Sequence, residues 1–256
     1  MRPGSVRDQR KLPNPRSRQS VVLDPKTAFV FWAEVYDDSP NPIVQLSERA
    51  ISARVPDVRG LQVVDLACGT GRLLLQLLRL APETCVGVDS SNAMLQKARL
   101  KEGITGRLIK ADVHELPLLS GSIDLVTFSL GLSYCRNLSL VAQELQRILR
   151  PGGRILATDF HPTALQSGWK RSFTIGTIHY DVSHYEYSPQ DISLAFKHYF
   201  QLICTLDLHF GEPERTTFEC AGKSSSFEEL RKGPALILFN WEKPADMGHA
   251  GLIKAD

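Results

Sequence analysis

Between Leu61 and Phe160 the hydrophobic pattern switches repeatedly between short β-rich runs and helical periodicity, and few folds tolerate that alternation. LQVVDLAC (Leu61–Cys68) predicts a first strand, followed by a Gly-containing turn and the helical RLLLQLLRLA. TCVGVD (Thr84–Asp89) predicts a second strand and SNAMLQKARLK a second helix, with Ser90 or Ser91 as its N-cap. GRLIKAD predicts a third strand, and SIDLVTFS (Ser122–Ser129) a fourth after a loop containing Pro117 and Gly121. The helix LSLVAQELQRILR then stops at Pro151-Gly152-Gly153, and RILATDF (Arg154–Phe160) predicts a fifth strand. This is the pattern of an α/β fold, a parallel sheet with helices on both faces. A helix around Asp191–Tyr199 and strands near Phe200–His209 and over PALILFNW complete a Rossmann-like, seven-stranded, mostly parallel sheet.

The flanks of this core read differently. Residues 1–20 carry six basic residues against one acid, Asp8, and have little to bury, so a disordered basic tail is expected. The same basic, acid-poor start also fits an organelle transit peptide. Residues 27–53 predict two N-terminal helices joined by a turn at Pro40 and Pro42. Residues 163–190 are rich in aromatics and His without a clear period, and form a substrate-side insertion after the fifth strand. One domain is expected over 21–256, with a cofactor-binding core at 61–160. At 256 residues such a chain buries a core without metal or disulfide staples.

Composition removes several partners. Net charge is +2, and the basic excess lies in the first twenty residues, so the remainder offers nothing to a nucleic acid. The five cysteines (Cys68, Cys85, Cys135, Cys204, Cys220) form no CxxC pair or zinc-ligand spacing, and read as reduced thiols of a cytoplasmic protein. No apolar run is long enough to span a membrane, and no metal site is expected. Oligomeric state is left open.

The chemistry lies at the strand ends, where open α/β sheets bind ligands. The turn DLACGTGR (Asp65–Arg72) follows the first strand, and its glycines, Gly69 and Gly71, allow a tight turn and close ligand approach. Asp89 ends the second strand, where a carboxylate can take both ribose hydroxyls. Asp112-Val113 ends the third, where an acceptor side chain and a backbone N–H can read an adenine edge. A dinucleotide fold is the natural competitor, but Leu74 stands where G-x-G-x-x-G needs its third glycine. Asp65 would also repel a phosphate, whereas it would attract an ammonium group.

From Val63 to Asp159 these motifs resemble those of the class I S-adenosylmethionine (SAM)-dependent methyltransferases, especially the subgroup near the ubiquinone/menaquinone-biosynthesis enzymes. DLACGTGR is similar to their DxGCGTG motif, with Ala67 in place of a glycine. VGVDSSNAMLQKAR, IKADVHELPL, SIDLVTFSLGL and ELQRILRPGGRIL are similar to the motifs that follow. The resemblance implies the class I methyltransferase fold, SAM as cofactor with S-adenosylhomocysteine as product, and a small-molecule substrate. It further implies that Asp65 and the backbone around Ala67 and Gly69 hold the methionine end, and that Asp89 takes the ribose. Ser90 and Met94 would line the adenine pocket, Asp112 and Val113 would read the adenine amino group, and Ser129 and Leu130 would face the sulfonium. Tyr36, in YDDSPNP, would cover the cofactor.

Methyl transfer from a sulfonium is an in-line displacement that mainly needs alignment, so a general base is optional. The candidates are histidines beyond the fifth strand: His161, just past its end, and His184, with His179 nearby; the plainer reading of each is a lid or surface residue. The HYDVSH spacing offers no third metal ligand. Trp169, Arg171 and Phe173 read either as an aromatic lid carrying one cation, suited to a planar or anionic molecule, or as ordinary packing. Two other functions compete with methyl transfer: a non-catalytic SAM-binding module, with no room beside the methyl, and more distantly an NAD-dependent oxidoreductase.

Overall fold

The computed structural model describes residues 20–245. The expected basic tail, Ser20 apart, lies outside those residues. The chain runs through β1 (Val21–Leu23), α1 (Pro25–Trp32), α2 (Pro42–Ser52), β2 (Gln62–Leu66), α3 (Arg72–Leu78), β3 (Thr84–Asp89), α4 (Asn92–Arg99), β4 (Leu108–Lys110) and β5 (Ile123–Ser129). A turn of 3-10 helix (Leu132–Tyr134) leads to α5 (Leu138–Ile148), β6 (Leu149–Phe160), α6 (Pro162–Gln166), β7 (Ser172–Ile175) and β8 (Ile178–Val182). Then follow α7 (Pro189–Phe196), β9 (Gln201–Leu208), α8 (Glu212–Cys220), α9 (Ser224–Leu230) and β10 (Leu236–Glu242).

Local chemistry sets the boundaries. Asp24 caps α1, accepting from the Thr27 N–H at 3.1 Å, and Asn41 caps α2, accepting from Ile43 and Val44. Pro42, expected in the turn, instead takes the first helical position, where its missing N–H goes unnoticed. Ser91 rather than Ser90 caps α4. The helix expected to reach Arg150 ends at Ile148, and the Pro151-Gly152-Gly153 segment belongs to the irregular start of β6.

The main sheet has the order β4-β3-β2-β5-β6-β10-β9, with β10 antiparallel to both neighbours and the first five strands parallel. This is the seven-stranded, mostly parallel sheet expected. Strand order reverses between β2 and β5, so the crevice opens above their carboxyl ends. Period-2 alternation sends neighbouring residues to opposite helical layers. Val64 and Val126 pack with Val141, Leu145 and Phe196 of α5 and α7; Val63 and Leu125 pack with Leu46, Leu74 and Phe218 of α2, α3 and α8.

The insertion is more ordered than its sequence suggests. β7 and β8 form a hairpin, and β1 adds to it in parallel, Val21 opposite Tyr180, giving a second sheet of order β1-β8-β7. Strands this short have too few inward residues to show a period. A small cluster of Ala28, Trp32, Phe173 and Val182 around Met94 fastens this sheet and α1 to α4.

Gly71 is placed by packing. It caps α3 at φ 77°, and a Cβ there would stand 2.6 Å from Ile104 Cδ1. Gly71→Ala should therefore lower stability by about 1–3 kcal/mol through crowding and left-handed strain, read as a lower urea midpoint at unchanged slope.

Candidate active site

One cavity of about 1000 Å³ opens above the switch point. Ten of the expected residues line it: Tyr36, Ala67, Gly69, Asp89, Ser90, Met94, Asp112, Val113, Ser129 and Leu130. They converge because β2, β3 and β5 end side by side and the next strand, β4, runs into Asp112. Asp65, Gly71, His161 and His184 are absent from the lining.

Asp89 is the most constrained of the group. Its Oδ2 accepts from the Gly69 N–H at 2.8 Å and its Oδ1 from the Ser91 N–H at 2.7 Å, so one carboxylate ties the glycine turn to the start of α4. Burial pushes its pKa up against the pull of these backbone bonds. Gly69 sits at φ 54° with no atom within 4 Å of where a Cβ would project. Ala67 and Leu130 are non-glycine residues in the left-handed region, φ 49° and 57°, on either side of the switch point. Such strain collects where surrounding structure fixes the backbone for a ligand.

Tyr36 is brought over the crevice by ion pairs in its own segment. Asp37 accepts from Thr70 Oγ1 at 2.7 Å and pairs with Lys101 at 2.7 Å, and Lys97 pairs with Glu34 at 2.8 Å. Burial and the nearby Glu48 carboxylate push the Tyr36 phenol above its usual range, and burial does the same to Tyr134. For Asp112, hydrogen bonds from the backbone and ring of His114 outweigh burial and hold the carboxyl below its usual range.

Asp65 lies behind the cavity wall, 1% exposed. Its Oδ1 accepts from Thr127 Oγ1 at 2.7 Å, and its buried Oδ2 has no hydrogen-bond partner. A direct contact between Asp65 and a molecule in the cavity is thus not part of this geometry. The two expected bases are also displaced. His161 Nδ1 accepts from the Thr163 N–H at 3.1 Å as the N-cap of α6, and Nε2 faces Asp207 at 3.6 Å. His184 Nδ1 lies 3.2 Å from the Val182 carbonyl. Neither lines the cavity: the first turn of α6 holds the His161 ring, and His184 lies past the end of β8. His179 does line it, its ring between Thr174 Oγ1 at 3.1 Å and Asp181 at 3.4 Å.

Several lining residues went unread in the sequence. Phe29 and Trp32 of α1, Tyr134 of the 3-10 turn and Phe160 at the end of β6 form aromatic walls. Aromatics on an N-terminal helix carry no local mark of the sheet crevice they cover. His114 was legible, one residue beyond Asp112-Val113 on the same loop.

Residues 64–157 match the family model described as a methyltransferase domain. This region is similar to methyltransferase domains, and the sheet order above is the fold of the class I, SAM-dependent methyltransferases. Within the class it resembles the ubiquinone/menaquinone-biosynthesis methyltransferases. The chain is 35% identical over 138 residues to a demethylmenaquinone methyltransferase of Lactococcus lactis, covering 49% of this chain and 55% of the relative. It is 33% identical over 114 residues to a malonyl-[acyl-carrier protein] O-methyltransferase of Legionella pneumophila, covering 42% and 40%. The chain thus spans about half the length or less of these curated relatives. A SAM-dependent methyltransferase from Mesorhizobium loti shares the fold, with a TM-score of 0.61, 21% identity, and coverage of 77% of this chain and 98% of that one.

Two outcomes follow from the displaced residues. His161→Asn keeps a capping acceptor and should leave stability and S-adenosylhomocysteine affinity unchanged, while His161→Ala should cost about 1 kcal/mol of stability, with affinity again intact by calorimetry. Burial, with help from Glu48 and Asp89 and against the Thr127 hydrogen bond, lifts the Asp65 carboxyl from 3.8 to about 7. Between those values the unfolded chain has lost a proton that the folded chain keeps, so stability falls as pH rises from about 4 to 7. Asp65→Asn should lack that slope, a difference of up to roughly 4 kcal/mol, measured by urea unfolding of the ligand-free protein at both ends of the window.

Proposed function

We propose that this chain transfers a methyl group from SAM to O, N or C of a small molecule by in-line displacement. The observation that carries the reading is a single cavity reaching from Asp89, Met94 and Asp112 to the aromatic wall of Trp169 and Phe173. At about 1000 Å³ it lies at the top of the range for drug-sized pockets, roughly 300–1000 Å³, which leaves room for an acceptor beside a nucleoside-sized cofactor. A binding module with no space beyond the methyl does not fit that volume.

The residues suit the cofactor. Each Asp89 oxygen keeps a lone pair beyond its backbone bond and can accept a ribose hydroxyl. Asp112 and Val113 meet the adenine edge, with Ser90 and Met94 beside the ring. Ala67 and Gly69 present backbone to the methionine end, Ser129 and Leu130 face the sulfonium, and Tyr36 covers the site. Asp65, with its unpartnered oxygen, lies beneath the wall, and once its raised carboxyl has lost its proton its field favours the ammonium. Bound SAM supplies an electrophilic methyl; the protein excludes water and aligns the acceptor.

No general base is assigned. Tyr36 and Tyr134 hold their protons more tightly than usual, and both nitrogens of His179 are within reach of Thr174 and Asp181. Alignment alone can supply roughly 7–11 kcal/mol of a barrier. The named relatives act on a demethylmenaquinone and on a malonyl-carrier protein, so likeness alone leaves the accepting atom open. A cytoplasmic setting fits five thiols without a disulfide; no described helix is long and apolar enough to cross a membrane.

Thermal unfolding with SAM, S-adenosylhomocysteine or NAD tests the reading. Both adenosyl ligands should raise the melting temperature by several degrees at about 100-fold excess over Kd, and NAD should not. Asp89→Ala should weaken S-adenosylhomocysteine binding by roughly 100-fold through two lost charge-assisted hydrogen bonds. A shift with NAD alone would overturn the assignment.

A further inference from the structure

His114 lines the cavity with a side chain only 9% exposed and with both ring nitrogens hydrogen-bonded. Nε2 accepts from the Asn137 N–H at 3.4 Å, and a neutral imidazole that accepts at one nitrogen carries its proton on the other. Nδ1 therefore donates, and its partner, 2.5 Å away, is Asp112 Oδ1. Asn137 is held in turn: as the N-cap of α5 its side chain accepts from the Ser139 and Leu140 N–H groups at 3.0 and 3.1 Å. The ring thus ties the carboxylate just past β4 to the first turn of α5.

The two oxygens of Asp112 are left with different tasks. Oδ1 takes two donors from His114, the backbone N–H at 3.0 Å and the ring. Oδ2 accepts from no described residue, and the side chain is 60% exposed at the cavity. One residue on, the Val113 N–H donates to no described backbone carbonyl. The loop therefore presents one acceptor beside one donor. That is the complement of an adenine edge, where the 6-amino group donates and N1 accepts. A 6-oxopurine carries the reverse, an accepting oxygen beside a donating N1. Arg136, also in the lining, attracts the same carboxylate. Held by the backbone N–H alone, the carboxylate would be free to pivot about Oδ1 towards that charge.

We propose that His114 is the positioning residue that makes the site select a 6-aminopurine, its ring locking the Asp112 carboxylate so that Oδ2 meets the purine edge beside the Val113 N–H. The inference rests on the methyltransferase reading and deepens its cofactor half. His114 does not touch the ligand. It acts by fixing the rotation of an ionised, acceptor-only group, and a carboxylate turned aside loses the amino group without gaining the oxo group.

Calorimetry on the full chain with S-adenosylhomocysteine and S-inosylhomocysteine, which differ only at that edge, tests the assignment. Two reversed hydrogen bonds at about tenfold each predict a wild-type preference for the adenosyl ligand of roughly 100-fold. His114→Ala should lower the ratio to about tenfold, the share left to Val113. His114→Phe keeps the ring's bulk without a donor and should lower it equally. His114→Asn places an amide nitrogen near the position of Nδ1 and should restore the wild-type ratio. A loosened loop that merely weakened binding would weaken both ligands together and leave the ratio unmoved. A wild-type ratio near one, a ratio unchanged in His114→Ala or His114→Phe, or one that falls as far in His114→Asn overturns the proposal while leaving the cofactor reading intact. Failure of S-adenosylhomocysteine to bind the wild-type protein would remove that reading, and the proposal with it.

Discussion

The Asp89 carboxylate is the joint on which the crevice depends. By accepting the N–H groups of Gly69 and Ser91 it joins the turn after β2 to the end of β3 and the first residues of α4. Without it, two backbone donors beside a ligand cavity would be unpaired, and the glycine turn would lose a side-chain anchor to β3. The same oxygens that fix the turn are the ones that, in the proposed reading, accept a ribose. Building and binding therefore use one group, and that explains why the carboxylate is kept in a site whose burial works against its charge.

A second joint does for the acceptor side what Asp89 does for the cofactor side. Asp159 at the end of β6, Ser133 in the 3-10 turn and Arg171 ahead of β7 come from three separate stretches and meet in a buried cluster. A buried ion pair adds little net stability compared with apolar packing, but it is demanding in geometry. Its value lies in setting where the hairpin stands relative to the strand ends. The Ser47 hydroxyl, bonded to Ser129 and Thr158, similarly docks α2 onto β5 and β6.

What could be read from the sequence follows how local each signal is. Val- and Leu-rich runs such as LQVVDL and SIDLVTF are buried on both faces of the sheet, and such runs announce themselves. That Asp89 and Asp112 line the cavity was legible because they stand at the carboxyl end of β3 and just past that of β4, where the chain reaches the crevice edge. The same logic fails for Asp65 and His161. Asp65 lies within β2, and its side chain falls behind the wall. His161 comes one residue too late, after the chain has turned into α6, whose first turn claims its ring nitrogen. The pairing of β1 with β8 and the helices α8 and α9 were not legible: pairing across the chain leaves no local mark, and each of these helices buries a single hydrophobic residue, Phe218 and Phe227, which sets no period.

The parallel pairing of Val21–Leu23 with Tyr180–Val182 also orders events in time. Synthesis delivers β1 first and its partner only after β2 to β6 and α1 to α5 have emerged. Closing so long a loop gives little return until both ends exist in folded form, so this contact belongs to the late steps of folding. The cofactor half of the sheet can assemble while the acceptor wall is still open. In a nascent chain, then, a nucleoside could already find its pocket before the groove for its co-substrate has been completed.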